Sequence, residues 1–372
     1  MPKIFVAQEN LLKAVTVAEK FVNPKAPLPI LSGILFEYGS GTLLAQGTDL
    51  DASAAARVPA SSPDGGSFRF VLPAKLVSDL VARLPKADLE IDVDLEKFTA
   101  GFFYPGGKAD ISGFDPESFP EFGAGGAPPD GFSLPQKELK SLIEKTAYAA
   151  SADRSRPVFT AAHFEFKEGF LSAVATDTHR LAATRCPAEN LPGSGSALIP
   201  AQFLKKAASL MKGNEAKLAV SENFVSFDLE DVRLQTRTIA GQFPDWRHIV
   251  PSGGSTLVSA DGPSLLAALD RAALFLDPET PVVSLDLTPG AGVRVRSLHQ
   301  RGGFDETVPA EVAGEGLSLF FGAGYLREAV QACMNEKPIR GEFFGPLQAA
   351  VFYPEGEREN TLALVLPARL ES

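Results

Sequence analysis

The stretch Phe70-Val71-Leu72-Pro73-Ala74 decides the fold, because it returns twice further along the chain. Its second copy is Ala197-Leu198-Ile199-Pro200-Ala201, and Leu319-Phe320-Phe321-Gly322-Ala323 is a more divergent third copy. Each copy joins an apolar run typical of a strand to a stretch with apolar residues at helical spacing. The interval, roughly 125 residues, exceeds the roughly 20–50 residues of a solenoid repeat. It therefore predicts three similar domains.

Two further motif pairs keep nearly the same interval. Gln46-Gly47-Thr48-Asp49 corresponds to Ala175-Thr176-Asp177, and Ser118-Phe119-Pro120-Glu121-Phe122 corresponds to Gln242-Phe243-Pro244-Asp245-Trp246. We predict domains at 1–125, 126–253 and 254–372, with Gly- and Pro-rich linkers near 123–129 and 251–255. Each domain is expected to pack two helices on antiparallel sheets, which is an α+β fold.

Helices are predicted where apolar residues recur every three or four positions. Their expected spans are a first helix through Leu11–Ala18, then Pro73–Leu84, Gln136–Ala149, Gln202–Met211, Pro263–Ala273 and Gly324–Met334. In the three helices that follow the repeated motif, the predicted core residues are Leu76, Leu80 and Leu84; Leu204, Ala208 and Met211; and Leu326, Val330 and Cys333.

Composition excludes several classes of protein. The two cysteines, Cys186 and Cys333, are too few for a disulfide framework and favour a reducing cytoplasm. No signal peptide and no membrane-spanning apolar stretch is evident. The net charge of −11 argues against a surface that binds nucleic acid everywhere. A local basic face remains compatible with that total.

Basic residues concentrate on three of the predicted helices. The stretch 202–212 carries three lysines and no acid, and 73–86 carries three basic residues against one aspartate. The stretch 136–146 carries three lysines against two glutamates, and Arg154 and Arg156 follow it. A solvated helix face explains any single one of these. Their recurrence at equivalent repeat positions favours a shared basic surface that binds phosphates without sequence preference.

The chain offers no convincing catalytic constellation, and we predict no catalytic residue, metal or cofactor. Asp177 and His179 are the most tempting pair, because a strand ending in Asp-x-His could supply two metal ligands. One alternative is therefore a metal-dependent nuclease or phosphoesterase. A second interpretation makes them turn residues that bond nearby backbone. A third places them on the polar rim of a binding groove.

Four short motifs occur in register along the chain. They are Leu28-Pro29-Ile30-Leu31-Ser32-Gly33, Ala175-Thr176-Asp177-Thr178-His179-Arg180-Leu181-Ala182, Phe243-Pro244-Asp245-Trp246 and Leu366-Pro367-Ala368-Arg369-Leu370. Together with the triple repeat they resemble the bacterial DNA polymerase III beta subunit, the sliding clamp, over essentially the full length. The resemblance implies a DNA clamp fold and a head-to-tail homodimer closed into a ring. It implies a non-catalytic DNA replication protein that holds duplex DNA topologically and confers processivity.

The resemblance also implies a hydrophobic groove between the second and third domains that receives a short motif of partner proteins. Expected partners are the DNA polymerase III alpha subunit, the clamp loader, other DNA polymerases, and mismatch-repair and ligase-type proteins. Carried over position by position, the groove comprises Phe159, Thr176, Thr178, His179, Arg180, Leu181, Pro244, His248, Ile249, Tyr325, Leu347, Leu364, Leu366, Pro367, Ala368, Arg369 and Leu370. Apolar pockets for leucine and phenylalanine anchors with a polar rim are typical of such sites.

Residues expected to face DNA are Lys25, Lys75, Arg83, Arg154, Arg156, Lys205, Lys206 and Lys212. At the dimer edge, Ile111 is expected to face Leu274 and Phe275 of the partner subunit. The chain departs from the family pattern at Thr178, where glycine is usual, at His248 for arginine and at Ala368 for methionine. The resemblance places the protein in the cytoplasm, at the nucleoid during replication. The remaining alternative is a peptide-binding scaffold that never encircles DNA.

Overall fold

The computed structural model describes residues 1–120 and 131–369. The linker predicted at 123–129 and the groove residue Leu370 lie outside the described residues. Within them, the element order strand, helix, four strands, helix, three strands occurs three times, and the third copy divides one of its strands in two. This recurrence agrees with the three similar domains that the sequence predicts.

The first copy comprises β1 (Lys3–Ala7), α1 (Gln8–Glu19), β2 (Gly33–Gly39), β3 (Thr42–Thr48), β4 (Ala52–Pro59), β5 (Phe68–Pro73), α2 (Ala74–Arg83), β6 (Asp88–Asp94), β7 (Thr99–Tyr104) and β8 (Gly107–Ser112). The second comprises β9 (Phe132–Pro135), α3 (Gln136–Glu144), β10 (Ala161–Lys167), β11 (Phe170–Thr176), β12 (Arg180–Pro187), β13 (Gly195–Pro200), α4 (Ala201–Leu210), β14 (Glu215–Val220), β15 (Phe224–Leu229) and β16 (Val232–Arg237). The third comprises β17 (Thr256–Ala260), α5 (Gly262–Ala272), β18 (Val282–Thr288), β19 (Gly292–His299), β20 (Gly302–Val308), β21 (Ala310–Gly314), β22 (Leu317–Gly322), α6 (Ala323–Ala332), β23 (Ile339–Phe343), β24 (Ala350–Pro354) and β25 (Thr361–Val365).

All six predicted helices are present, and α2, α4 and α6 each follow directly on the strand of the repeated motif. One helix is shorter than predicted: α3 ends at Glu144, and only a 3₁₀ turn covers Ala147–Ala149. The hydroxyl of Thr146 donates to the carbonyl of Leu142 at 2.6 Å, and its backbone leaves the helical region. Threonine bonding of this kind disfavours a continuing helix.

The core face of α2 agrees with the prediction only in part. Leu84 is buried as predicted and Leu80 is half-buried, but Leu76 is 53% exposed, and Val77 and Val81 are fully buried in its place. Valines at this spacing form an apolar stripe as continuous as the leucines do, so periodicity alone does not choose between them. The predicted core residues of α4 and α6 are buried as expected.

The chain divides into two compact units, which we describe separately. The first unit, residues 1–137 with 206–238, contains a four-stranded sheet β1-β6-β7-β8 and an eight-stranded sheet β5-β2-β3-β4-β16-β15-β14-β9. The eight-stranded sheet arises because β4 of the first copy pairs antiparallel with β16 of the second. Helices α1 and α2 pack together within this unit. Strand β3 passes α1 so closely that a Cβ atom on Gly47 would lie 2.1 Å from the carbonyl oxygen of Ala18.

The second unit, residues 138–205 with 239–372, contains a four-stranded sheet β20-β19-β18-β22 and a nine-stranded sheet β13-β10-β11-β12-β25-β24-β23-β17-β21. Here β12 of the second copy pairs antiparallel with β25 of the third. Helices α5 and α6 cover a core that includes Leu269, Phe321 and Val330. Strands of the central copy thus belong to both long sheets, and the domain boundaries at 125 and 253 remain a prediction.

No helix among the described residues is long and apolar enough to span a membrane.

Candidate binding groove and basic surfaces

The turn between β11 and β12 is built by its own polar side chains. The Oδ1 atom of Asp177 accepts hydrogen bonds from the backbone N–H groups of His179 and Arg180, both at 3.0 Å. The hydroxyl of Thr176 donates to the carbonyl of Arg180 at 2.6 Å and accepts from the N–H of Thr178 at 3.1 Å. This geometry is an Asx turn. It supports the turn interpretation of Asp177, because the oxygens that a metal would need already accept hydrogen bonds. No cluster of three or more metal-ligating side chains occurs among the described residues.

Thr178, at the tip of this turn, adopts a left-handed backbone conformation with φ of 80°. Glycine adopts this region without cost, whereas a β-branched residue is strained there. The structure therefore explains why glycine is usual at this position of the family pattern.

Replacing Thr178 with glycine is expected to stabilise the protein by about 1 kcal/mol, because a left-handed non-glycine residue stores roughly 1–3 kcal/mol. Urea unfolding monitored by circular dichroism measures the change. Thr178→Ala is the matched control: it keeps the Cβ atom and should gain less than half as much. A loss of stability in Thr178→Gly would show that the turn is unstrained.

Arg180 is largely buried, with 11% of its side chain exposed. Its Nε donates to Asp177 at 3.0 Å, its Nη2 donates to the carbonyl of Tyr148 at 2.8 Å, and its Nη1 pairs with Glu328 of α6. The guanidinium also lies over the rings of Tyr325, 4.4 Å away, and Tyr148, 5.3 Å away. Burial raises the pKa of the Tyr148 phenol well above its usual value. The sequence places Arg180 among the expected groove residues, but these contacts leave little of it exposed. They join the turn to α6 and to the carbonyl of Tyr148.

The segment that follows β25 runs beside the Thr176–Arg180 turn. The backbone N–H of Leu366 donates to the carbonyl of His179 at 2.9 Å, and that of Ala368 donates to the carbonyl of Phe320 at 2.7 Å. The exposed ring of His179 stacks on Tyr325 with centroids 6.4 Å apart. The structure thus brings together residues from the turn, α6 and the tail, as the family resemblance implies.

An apolar cluster on one face of the nine-stranded sheet supplies a floor. We call it the sheet-face cluster; it consists of Val174, Leu181, Ala183, Val351, Leu362 and Leu364. Phe243, Trp246 and Val250 pack against it from the segment that follows β16.

Three expected groove residues expose large apolar side chains: Ile249 is 55% exposed, Leu347 64% and Leu366 40%. Of the other expected groove residues, Thr176 is buried, Phe159, Pro244 and Pro367 are half-buried, and Arg369 is exposed. His248 is exposed and its Nδ1 lies 2.7 Å from a carboxylate oxygen of Asp245. The apolar exposure at Ile249, Leu347 and Leu366 is of the kind that marks binding sites.

The first unit contains the same turn without the apolar floor. Asp49 Oδ1 accepts from the N–H groups of Asp51 and Ala52, Leu50 has φ of 77°, and the N–H of Arg237 donates to the carbonyl of Asp51 at 2.9 Å. By strand register, the positions of the sheet-face cluster are occupied here by Gln46, Ser53, Ala55, Ser226, Arg233 and Gln235. This pairing repeats that of the second unit. Only one of the two turns therefore adjoins a surface suited to leucine or phenylalanine anchors.

The expected DNA-facing residues fall into two groups. Lys75 and Arg83 both pair with Asp79, at 3.0 and 3.2 Å, and Arg156 pairs with Asp153 at 3.5 Å. The remaining ones, Lys25, Arg154, Lys205, Lys206 and Lys212, have no ion-pair partner among the described residues. Partial burial lowers the pKa of Lys205, and the ammonium of Lys206 lies 5.0 Å above the ring of Phe21.

At the expected dimer edge, the structure modifies the sequence interpretation. Ile111 lies on the edge strand β8, but its side chain is only 3% exposed and already packs within its own chain. Leu274 is 80% exposed, and Phe275 stacks on Phe304 of the edge strand β20 with centroids 6.2 Å apart. Leu274 is therefore the most accessible of the three for a contact between subunits.

The described residues contain three copies of one α+β unit, and two long antiparallel sheets join strands of neighbouring copies. Family models agree: the N-terminal domain of the DNA polymerase III beta subunit matches residues 2–121 and its central domain matches residues 133–245. These matches cover more than half of the chain, so the chain belongs to the DNA polymerase III beta subunit family. Members of this family are non-catalytic processivity factors of DNA replication.

Individual relatives are distant but match from end to end. The beta sliding clamp of Staphylococcus aureus is 27% identical over 361 residues, covering 94% of each chain. That of Synechocystis is 26% identical over 392 residues, covering 99% of each. The DNA polymerase sliding clamp of Bacillus subtilis superimposes with a TM-score of 0.91 at 24% identity over the full length of both chains. The beta subunit from Pseudomonas aeruginosa superimposes with a TM-score of 0.88 at 23% identity, covering 99% of this chain.

Proposed function

We propose that this clamp closes head to tail with a second copy, encircles duplex DNA, and holds the replicative polymerase through the groove beside the Thr176–Arg180 turn. The observation that carries the proposal is the threefold recurrence of one unit within a single chain. Two such chains supply six similar units around one axis. The edge strands β8 and β20 leave backbone groups unpaired at sheet edges, which a second copy can cover.

DNA contact is proposed to be electrostatic and independent of sequence. The basic residues named above act on phosphates, so binding should weaken steeply with salt. The rest of a chain with net charge −11 repels DNA. Weak contacts of this kind permit sliding, while ring closure prevents loss. The cytoplasm, and the nucleoid during replication, is the proposed location.

The groove is proposed to bind the DNA polymerase III alpha subunit, the clamp loader, other DNA polymerases, and mismatch-repair and ligase-type proteins in turn. Leu181 and Leu364 give the floor, and Ile249, Leu347 and Leu366 give exposed apolar contacts. A partner that presents leucine and phenylalanine would bury these side chains.

Topological binding is tested by loading the protein onto nicked circular DNA with the clamp loader of the same organism. We expect cutting the circle to release nearly all of the bound protein, because it slides off the free ends. The control is the same cut with both ends blocked by a tightly bound protein, which should retain it. Protein that stays on DNA with free ends would contradict encirclement.

Reversing two charges tests the DNA-facing surface. Lys205→Glu with Lys206→Glu should reduce retention on circular DNA at least tenfold at moderate salt and flatten its salt dependence. Peptide binding at the groove should not change. Arg57→Glu with Lys217→Glu, two exposed sheet positions, is the control with the same net charge and should behave as wild type. Unchanged retention in the lysine variant would favour a scaffold that never encircles DNA.

A further inference from the structure

The segment 242–251 contains part of the proposed groove and packs on one face of the nine-stranded sheet. Phe243 stacks on His163 with ring centroids 5.3 Å apart. The guanidinium of Arg247 donates to Glu165 at 2.9 Å, and that of Arg358 donates to the carbonyl of Pro251 at 2.6 Å. These contacts hold Trp246 against the sheet-face cluster.

A second depression lies on the same sheet face, between Trp246 and Phe170. We call it the Trp246 pocket; its volume is about 140 Å³. Its floor is Val174, Ala183 and Leu362, three members of the sheet-face cluster. An apolar cavity of about 150 Å³ admits a molecule the size of benzene. The pocket therefore has room for one apolar side chain.

The pocket floor is continuous with the groove floor. Ala183 and Leu362 are paired across β12 and β25, and the next same-face pair along these strands is Leu181 with Leu364. Residues two apart on one face of a strand are separated by about 7 Å. A peptide anchored on Leu181 and Leu364 would need only about two to four further residues to reach the pocket.

The rim of the pocket favours a carboxylate beside that apolar side chain. Four cationic and three acidic residues line it, giving a local excess of one positive charge in a chain of net charge −11. The guanidinium of Arg185 lies 4.7 Å from the ring of Phe170, and that of Arg247 lies 4.9 Å from the ring of Trp246. Stacked arginines keep N–H groups at their edges for a carboxylate. Arg185 pairs with Glu359, but that side chain is 86% exposed, so a partner can replace it.

We propose that the partner segment that fills the groove continues past Trp246 and places one apolar side chain, flanked by a carboxylate, in the Trp246 pocket. This inference rests on the proposed groove and names a further subsite of it. The pocket is a specificity determinant, because partners with the same groove anchors differ in the residues that flank them.

The test compares peptides of two lengths that contain the clamp-binding segment of the replicative polymerase of the same organism. One carries only the groove anchors; the others add four residues, including Leu-Asp, at one end or the other. On the wild-type protein, one extension is expected to tighten Kd about tenfold, which corresponds to about 1.4 kcal/mol. Ser172 of β11 also lines the pocket. Ser172→Leu, which fills the pocket, should therefore remove this gain and leave the short peptide within twofold of wild type. Ser196→Leu, exposed on the same face of edge strand β13, is the matched control and should keep the gain.

A charge reversal provides a second arm that does not alter the pocket floor. Arg185→Glu should remove most of the gain for the Leu-Asp extension and little of it for a Leu-Asn extension, while Arg57→Glu should have no effect on either. Thermal unfolding confirms that each variant is folded. If no extension tightens binding, or if both pocket variants keep the gain, the proposed subsite is wrong and the proposed groove is unaffected. If the short peptide does not bind the wild-type protein, both the groove and the subsite are wrong.

Discussion

Arg180→Ala is expected to lower the free energy of unfolding by about 3–5 kcal/mol, the usual cost of removing one partner from a buried ion pair. The substitution leaves the carboxylate of Asp177, with 11% of its side chain exposed, without its charged partner. It also removes the hydrogen bond to Tyr148 and the stacking on Tyr325. Urea unfolding followed by circular dichroism measures the loss.

The matched control is Arg185→Ala, on the same strand. Arg185 pairs with an exposed glutamate, so its removal should cost less than about 1 kcal/mol. Arg180→Lys keeps the charge but lacks the planar fork that serves three acceptors, and should fall between the two. Equal losses at Arg180 and Arg185 would show that the buried network contributes no more than a surface pair.

The second large effect, on peptide binding, is expected at Leu366, the residue that follows β25. Leu366→Asp should weaken binding of the polymerase peptide at least 100-fold, about 3 kcal/mol, because it places a charge where an apolar anchor would be desolvated. The backbone hydrogen bond from Leu366 to His179 remains, so the fold should persist. Isothermal titration calorimetry with the short peptide measures the change.

Leu257→Asp provides the comparison. Leu257, on β17 of the same sheet, is 43% exposed and Leu366 is 40% exposed, so the two substitutions remove similar apolar surface from water. Leu257 lies outside the proposed groove and its variant should bind the peptide normally. Equal weakening in both variants would indicate a general loss of structure, and normal binding by Leu366→Asp would remove the tail from the site.

Much of the fold could be predicted from the sequence because the same strand-to-helix motif occurs three times, so each copy supports the assignment of the others. The strand-to-helix junctions at Pro73 and Pro200 were located correctly for this reason. Strand β4 is hard to predict from the sequence, since its run of alanines lacks the β-branched and aromatic residues that are typical of strands. Strand β20 is equally hard to predict, because it is largely polar and exposed at a sheet edge.

The site was predictable where its geometry is local. The Asx turn at Asp177 follows from residues within three positions of it. The role of Arg180 could not be deduced in this way, because its partners Tyr148 and Glu328 lie 32 and 148 residues away. The Trp246 pocket could not be predicted from the sequence either. It forms only where the folded chain brings together β11, β12, β25 and the segment after β16.

The first unit has mostly polar residues at the positions that correspond to the sheet-face cluster, and this difference limits how many partners one clamp can bind. With Gln46, Ser226 and Gln235 at the equivalent positions, the first unit cannot offer a second apolar floor. Among the described residues, each chain therefore has one such floor at these two turns, and the proposed ring of two chains has two. The partners proposed for this groove would then compete for it, so that their relative concentrations and off-rates decide which of them occupies the clamp at a given moment.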